Sequence, residues 1–182
     1  REVAPWLEDG TIAYLSVNVT PMDMVASDFA ERFLACLART GTKPTNICLE
    51  IVESAIVGNL DAARSNIERL SKAGVMIALD DYGTGFSNLR ALLDLPLDKL
   101  KIDRSLIQGI GTNNKVADLL ISIMQLAKTL KVRVVAEGIE TNLQSAFVTS
   151  VGCDLMQGFL FSRPLSYDAL NTWLCADQQQ IA

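Results

Sequence analysis

Short apolar runs alternate along the chain with longer stretches in which apolar residues recur every three or four positions. The runs are Ile12–Val19, Ile47–Val52, Val75–Leu79, Leu100–Ile102, Val132–Ala136 and Leu155–Phe161. Several are continuous Val, Ile and Leu, the pattern of strands covered on both faces. Between them, Phe29, Phe33, Leu34 and Leu37 share one helical face, as do Ala63, Ile67 and Leu70 ahead of Gly74. Leu119 to Leu130 forms a further helix, and another runs through Phe147 to Val151 and stops at Gly152. The last runs from Tyr167 to about Trp173, with Ser166 as its natural N-cap.

Strand–helix–strand repeated in this way predicts a parallel sheet, because each crossover helix packs back on the sheet with the same hand. At ~30 residues per unit, six units account for the 182 residues. Two architectures compete, a doubly wound open sheet and a barrel of eight strands, which typically takes ~250 residues. The absence of a GxGxxG or P-loop sequence weakens the first. The second leaves two strands unaccounted for.

Composition narrows the chemistry. Hydrophobic residues make up 49% and charged residues 20%, the balance of a globular domain. A net charge of −5 gives the chain no polyelectrolyte attraction to nucleic acid or anionic lipid, so a phosphate-bearing ligand must be held by a metal or a few placed cations. There is no histidine, which excludes a Ser-His-Asp triad and most zinc sites. The four cysteines, Cys36, Cys48, Cys153 and Cys175, are widely spaced and read as free buried thiols in a reducing compartment. No signal peptide or membrane-length apolar run is visible, and the expected location is cytoplasmic, as a free protein or the cytoplasmic part of a membrane-anchored parent.

Polar residues close the apolar runs. Asn18 ends the first, Glu50 and Glu53 the second, and Asp80 and Asp81 the third. Lys101 and Asp103 belong to the fourth, Glu137 and Glu140 to the fifth, and Gln157 to the sixth. In a parallel barrel all strand C-termini open on one face, which gathers these side chains into a single mouth. Each taken alone reads equally as a helix N-cap or solvated loop residue, and Lys101 could pair with Asp103 or Asp98. Together they form an acidic cluster that needs a counter-charge, which one lysine cannot supply. Oxygen donors without His or Cys favour Mg²⁺ or Mn²⁺, with Ca²⁺ as an inhibitory occupant. Two such ions are the usual device for cleaving a phosphodiester. After the aspartates, the segment Tyr82-Gly-Thr-Gly-Phe-Ser places glycines on both sides of Thr84, permitting positive φ and close backbone approach to a ligand.

The motifs Leu15-Ser-Val-Asn-Val-Thr, Leu49-Glu-Ile-Val-Glu-Ser, Ala78-Leu-Asp-Asp-Tyr-Gly-Thr-Gly-Phe-Ser, Leu100-Lys-Ile-Asp-Arg-Ser, Val134-Val-Ala-Glu-Gly-Ile-Glu-Thr and Gly152-Cys-Asp-Leu-Met-Gln-Gly-Phe, in this order and spacing, closely resemble the EAL domain. That family hydrolyses the bacterial second messenger cyclic di-GMP to the linear dinucleotide pGpG. The resemblance runs from about Leu15 to Pro164 and implies an α/β fold, a TIM-type (β/α)8 barrel with about six of its eight βα units in this chain. The expected domain spans 1–182, with a motif-bearing core at about 12–165 and a C-terminal helix at about 166–176.

By the same resemblance Asn18, Glu50, Asp80, Asp81 and Glu137 look like metal ligands, with Asp80 shared between two ions. Lys101, Glu137 and Asp81 look catalytic: Lys101 orients the attacking water or a phosphate oxygen, and Glu137 acts as base or ligand near that water. Gln157 resembles a contact to the water or the substrate, and Glu140 a position on the guanine side. Glu53 resembles the acid that anchors the loop around Thr84 and Gly85, and Asp103 a substrate-binding or supporting position. The resemblance also implies a homodimer and a sensory or GGDEF-type regulatory neighbour. Thr20 stands where the family usually has Ser, and Tyr82 where Phe is commoner. The Glu-Ala-Leu motif, one expected metal ligand, and the nearby phosphate-holding Arg are not in this sequence, so they are expected upstream on the two uncounted strands. The 182 residues are therefore expected to be weak in catalysis, and a non-catalytic cyclic di-GMP receptor or scaffold is the alternative reading.

Overall fold

Six strands pair side by side in chain order, every pair parallel: β1 (Leu15–Val19), β2 (Ile47–Val52), β3 (Met76–Tyr82), β4 (Lys99–Ile102), β5 (Arg133–Ala136) and β6 (Leu155–Met156). The structure, a computed structural model, describes residues 2–52, 60–83 and 89–178. The strand order decides between the two predicted architectures. A doubly wound sheet reverses direction at a switch point, whereas each strand here neighbours the next in sequence, as in a barrel wall. The molecule is an α/β fold carrying about six units of such a wall.

The helices among the described residues are α1 (Ala4–Glu8), α2 (Pro21–Val25), α3 (Phe29–Thr40), α4 (Leu60–Lys72), α5 (Leu89–Asp94), α6 (Arg104–Gln108), α7 (Asn114–Leu130), α8 (Asn142–Ser150) and α9 (Tyr167–Gln178). The long ones follow the predicted apolar stripes. Helix α3 ends at Gly41 in the left-handed conformation, and the hydroxyl of Ser166 accepts from the Ala169 N–H at the start of α9. The sixth apolar run is a strand only over Leu155–Met156; the chain turns at Gly158, whose missing side chain leaves room for the Ile139 backbone. None of the described helices is long and apolar enough to cross a membrane.

The two faces of the sheet differ in kind. Ile47, Leu49, Ile51, Ile77, Leu79, Leu100, Ile102, Val134 and Ala136 point towards the helices and pack with Ile67, Leu70, Leu120, Ile123 and Ala127 in one core. The alternate positions Cys48, Glu50, Ala78, Asp80, Lys99 and Lys101 occupy the other face, the side that would line a barrel. Polar clamps hold the frame. Asp98 accepts from the Ile77 N–H and Asp154 from the Val134 N–H, at 2.8 and 2.7 Å, each tying a strand entrance to its neighbour. Asn66, buried on α4, donates to the carbonyls of Met24 and Ala26 and accepts from the Ala30 N–H.

The cysteines depart from expectation. Cys48 is buried and Cys153 half-buried, but Cys36 and Cys175 are exposed, because they fall on the solvent sides of α3 and α9. Burial pushes the Cys48 thiol above its usual range, partly offset by the nearby Lys99 ammonium.

Candidate metal centre

At the C-terminal ends of β2 to β5 one ammonium meets three carboxylates. Lys101 Nζ lies 2.6 Å from Glu50 Oε2, 3.0 Å from Asp80 Oδ1 and 2.7 Å from Glu137 Oε1. Its side chain is only 7% exposed. The open alternatives for Lys101, pairing with Asp98 or Asp103, are not taken: Asp98 caps the entrance of β3, and Asp103 accepts from the Ser105 N–H as the N-cap of α6. Burial alone would weaken the proton's hold on Lys101, but hydrogen bonds to Glu137, Glu50 and Asp80 outweigh it and keep the group charged well above the ordinary lysine range. Glu137 goes the other way. Its burial raises the carboxyl, Lys101 counters that, and the charges of Asp80 and Glu50 add to the rise.

Adjacent residues of a regular strand face opposite sides, so Asp80 and Asp81 could not share a site on a flat β3. A bulge resolves this. Leu79 pairs with Leu100 and Tyr82 with Ile102, three steps on β3 against two on β4. Asp81 takes up the extra residue at φ 58, a left-handed conformation that Asp tolerates better than most side chains. Leu79 and Tyr82 consequently both join the core, while the two aspartates between them face the mouth. The Asp81 N–H donates to Asp80 Oδ1 at 2.9 Å. Burial, then the charges of Asp80 and Asp103, push the Asp81 carboxyl up.

Asp80, Asp81 and Glu137 each offer a carboxylate oxygen, all within 4.8 Å of one another, among the described residues. Three hard oxygens with no imidazole or thiolate in the set suit Mg²⁺, Mn²⁺ or Ca²⁺ rather than zinc. Glu50 stands outside this trio, its Oε2 turned to Lys101. Asn18 lies directly beside Glu50 in the β1–β2 register, exposed on the strand end. Glu140 is exposed after β5, its N–H donating to Gln144 Oε1 at 2.8 Å. The backbone of the exposed Gln157 is held against the same segment, its carbonyl accepting from the Ile139 N–H and its N–H donating to the Ala136 carbonyl. Gly83 shows the anticipated positive φ, at 102°, with Leu106 against its bare face. Glu53, Thr84 and Gly85 lie outside the described residues.

Gln144 was not singled out by sequence. It is buried, caps both Glu140 and Thr141 through one oxygen, and completes a capping box with Thr141 at the start of α8. The signal was present as Thr141-x-x-Gln144.

A barrel-type parallel sheet with an acidic cluster at its strand C-termini defines the class: an α/β barrel domain with its acids gathered at the strand C-terminal face. Comparison with known proteins supplies the family. The model of the EAL domain matches residues 1–164, and the chain belongs to that family. It is 35% identical over 171 residues to the bifunctional diguanylate cyclase/cyclic di-GMP phosphodiesterase MucR of Pseudomonas aeruginosa, covering 93% of this chain and 25% of the relative. It is 38% identical over 162 residues to the cyclic di-GMP phosphodiesterase NbdA of the same organism, covering 89% and 21%. The chain thus spans a quarter or less of these two relatives. Among solved structures, the MucR phosphodiesterase in complex with c-di-GMP aligns with TM-score 0.86 and 36% identity, over 93% of this chain and 69% of the other. The EAL domain of Mycobacterium smegmatis DcpA aligns with TM-score 0.88 and 34% identity, over 96% and 79%. A manganese/c-di-GMP complex of Klebsiella pneumoniae BlrP1 aligns with TM-score 0.81 and 32% identity, over 90% and 42%.

Proposed function

We propose that this chain carries the core of a metal-dependent phosphodiesterase site that hydrolyses cyclic di-GMP to linear pGpG. The observation that carries this reading is the convergence of Asp80, Asp81 and Glu137 around Lys101 at the strand ends. Asp80 and Asp81, with Glu50, Asn18 and Glu137 contributing, would hold a pair of divalent ions with Asp80 shared, and ions bound there would supply Lewis-acid charge at the scissile phosphate. Glu137, with its raised carboxyl, takes the proton of the attacking water, and Lys101 stabilises charge developing on the phosphate oxygens. Asp103 supports the site by fixing the start of α6 directly after the Lys101 strand. Gln157 and Glu140 face the substrate side, and Glu53, Thr84 and Gly85 are assigned the adjoining loop. Mg²⁺ or Mn²⁺ is the working ion, and Ca²⁺ binds without supporting turnover. The domain acts in the cytoplasm, as a homodimer, alongside GGDEF-type or sensory domains of a parent protein.

Incubation of the chain with cyclic di-GMP and Mn²⁺ should yield pGpG by chromatography, slowly, since the Glu of the Glu-Ala-Leu motif is not among these residues. EDTA should abolish the product, and Glu137→Gln should lower the rate by about 100-fold or more. One observation favours a second reading, a receptor that binds without hydrolysis: Lys101 already bridges three of the acids without an ion. Binding of cyclic di-GMP with no pGpG under any divalent ion would select that reading.

A further inference from the structure

An ammonium as enclosed as that of Lys101 stays charged only with partners close at hand. It has three carboxylates for its three N–H bonds, one each from β2, β3 and the end of β5. Two of these acids, Asp80 and Glu137, also belong to the ion-capable trio. Asp80 Oδ1 is committed twice, to Lys101 and to the Asp81 N–H. One oxygen of each of Glu50, Asp80 and Glu137 is therefore occupied by hydrogen-bond donors before any ion arrives. A dication entering there meets a positive charge already bound to its ligands, in surroundings with little water to screen the repulsion.

We propose that Lys101 is a resident counter-cation, which holds the acids together in the ion-free state and lowers divalent-ion affinity by competing for Asp80 and Glu137. This rests on reading the acidic cluster as an ion site. It adds that the cluster is built to exist in two forms, one in which the lysine alone bridges three carboxylates and offsets part of their charge, and one in which lysine and ion share the same carboxylates. The ion-free protein then keeps its strand ends aligned, and bound ion remains exchangeable instead of locked in.

The test compares the wild-type chain with Lys101→Met and Lys101→Arg by calorimetric titration with Mn²⁺ and by melting with and without the ion. Lys101→Met should melt at a lower temperature without ion, because three acids lose the ammonium they share. It should bind Mn²⁺ more tightly, on the order of tenfold, with that charge removed. Its melting temperature should rise further on adding Mn²⁺ than that of the wild type. Lys101→Arg, which keeps the charge, should retain wild-type affinity. If Lys101→Met does not fold alone, refolding in saturating Mn²⁺ should recover it; failure to recover overturns the proposal. Mn²⁺ binding to Lys101→Met that is equal to or weaker than wild type overturns it too, while leaving the ion site intact. If none of the three chains binds Mn²⁺, the ion-site reading itself falls, and this inference with it.

Discussion

Lys99 and Lys101 stand two residues apart on one face of β4, and both are buried, yet their company differs completely. Lys101 meets three carboxylates, whereas the Lys99 ammonium has no hydrogen-bond partner among the described residues and lies 3.2 Å from the centroid of the Tyr14 ring. A cation–π contact of this kind returns about 2 kcal/mol when desolvated, less than the cost of burying an ammonium. Lys99→Met should therefore leave stability unchanged or raise it, by up to about 2 kcal/mol in urea denaturation. A loss of that size would show that the ring holds the charge better than water does. Single residues were partly legible from sequence. Lys101 and the strand-end acids were found because charges are conspicuous at the ends of Val/Ile/Leu runs. That Asp80 and Asp81 face the same way was not legible, since it depends on a bulge set by pairing with β4.

At the scale of elements, stability rests on a core between sheet and helices and on a few polar clamps that fix helix position. Asn66 is the clearest case, because its amide satisfies three backbone groups of the α2–α3 region from the middle of α4. Asn66→Leu would leave the Met24 carbonyl and the Ala30 N–H without this partner, while the Ala26 carbonyl keeps the Phe29 N–H, and should cost about 2–4 kcal/mol by chemical denaturation. A change below 1 kcal/mol would mean that α2 and α4 shift to let water in. The strands from β2 to β5 were read within a residue or three, because buried parallel strands announce themselves as continuous aliphatic runs. Helices α1, α2, α5 and α6 are not legible, being five or six residues long and too short to show a period. The overlong sixth strand failed for a related reason: Phe159 and Phe161 look like strand residues, but the chain turns at Gly158 against Ile139.

The molecule as a whole is a sheet whose first and last strands have one neighbour each among the described residues. Leu15 on β1 and Leu155 on β6 are both exposed, with Phe159, Phe161 and Tyr167 also exposed beyond β6. Unpaired strands flanked by apolar side chains invite pairing with another chain. Light scattering on the 182-residue chain should show a dimer or larger species that grows with concentration, and Leu155→Lys with Phe161→Lys should shift it towards monomer; a strict monomer would contradict this. Barrel order is legible in the repeated strand–helix units, and the six strands pair in chain order as that repeat implies. The ammonium of Lys101 has a further meaning at this scale. It rivets the tips of β2, β3 and β5 to its own strand at a single point, so these ends cannot fray one at a time. Backbone amides there should exchange their hydrogens together, in a single concerted opening, and the mouth of the fold would behave as one cooperative unit.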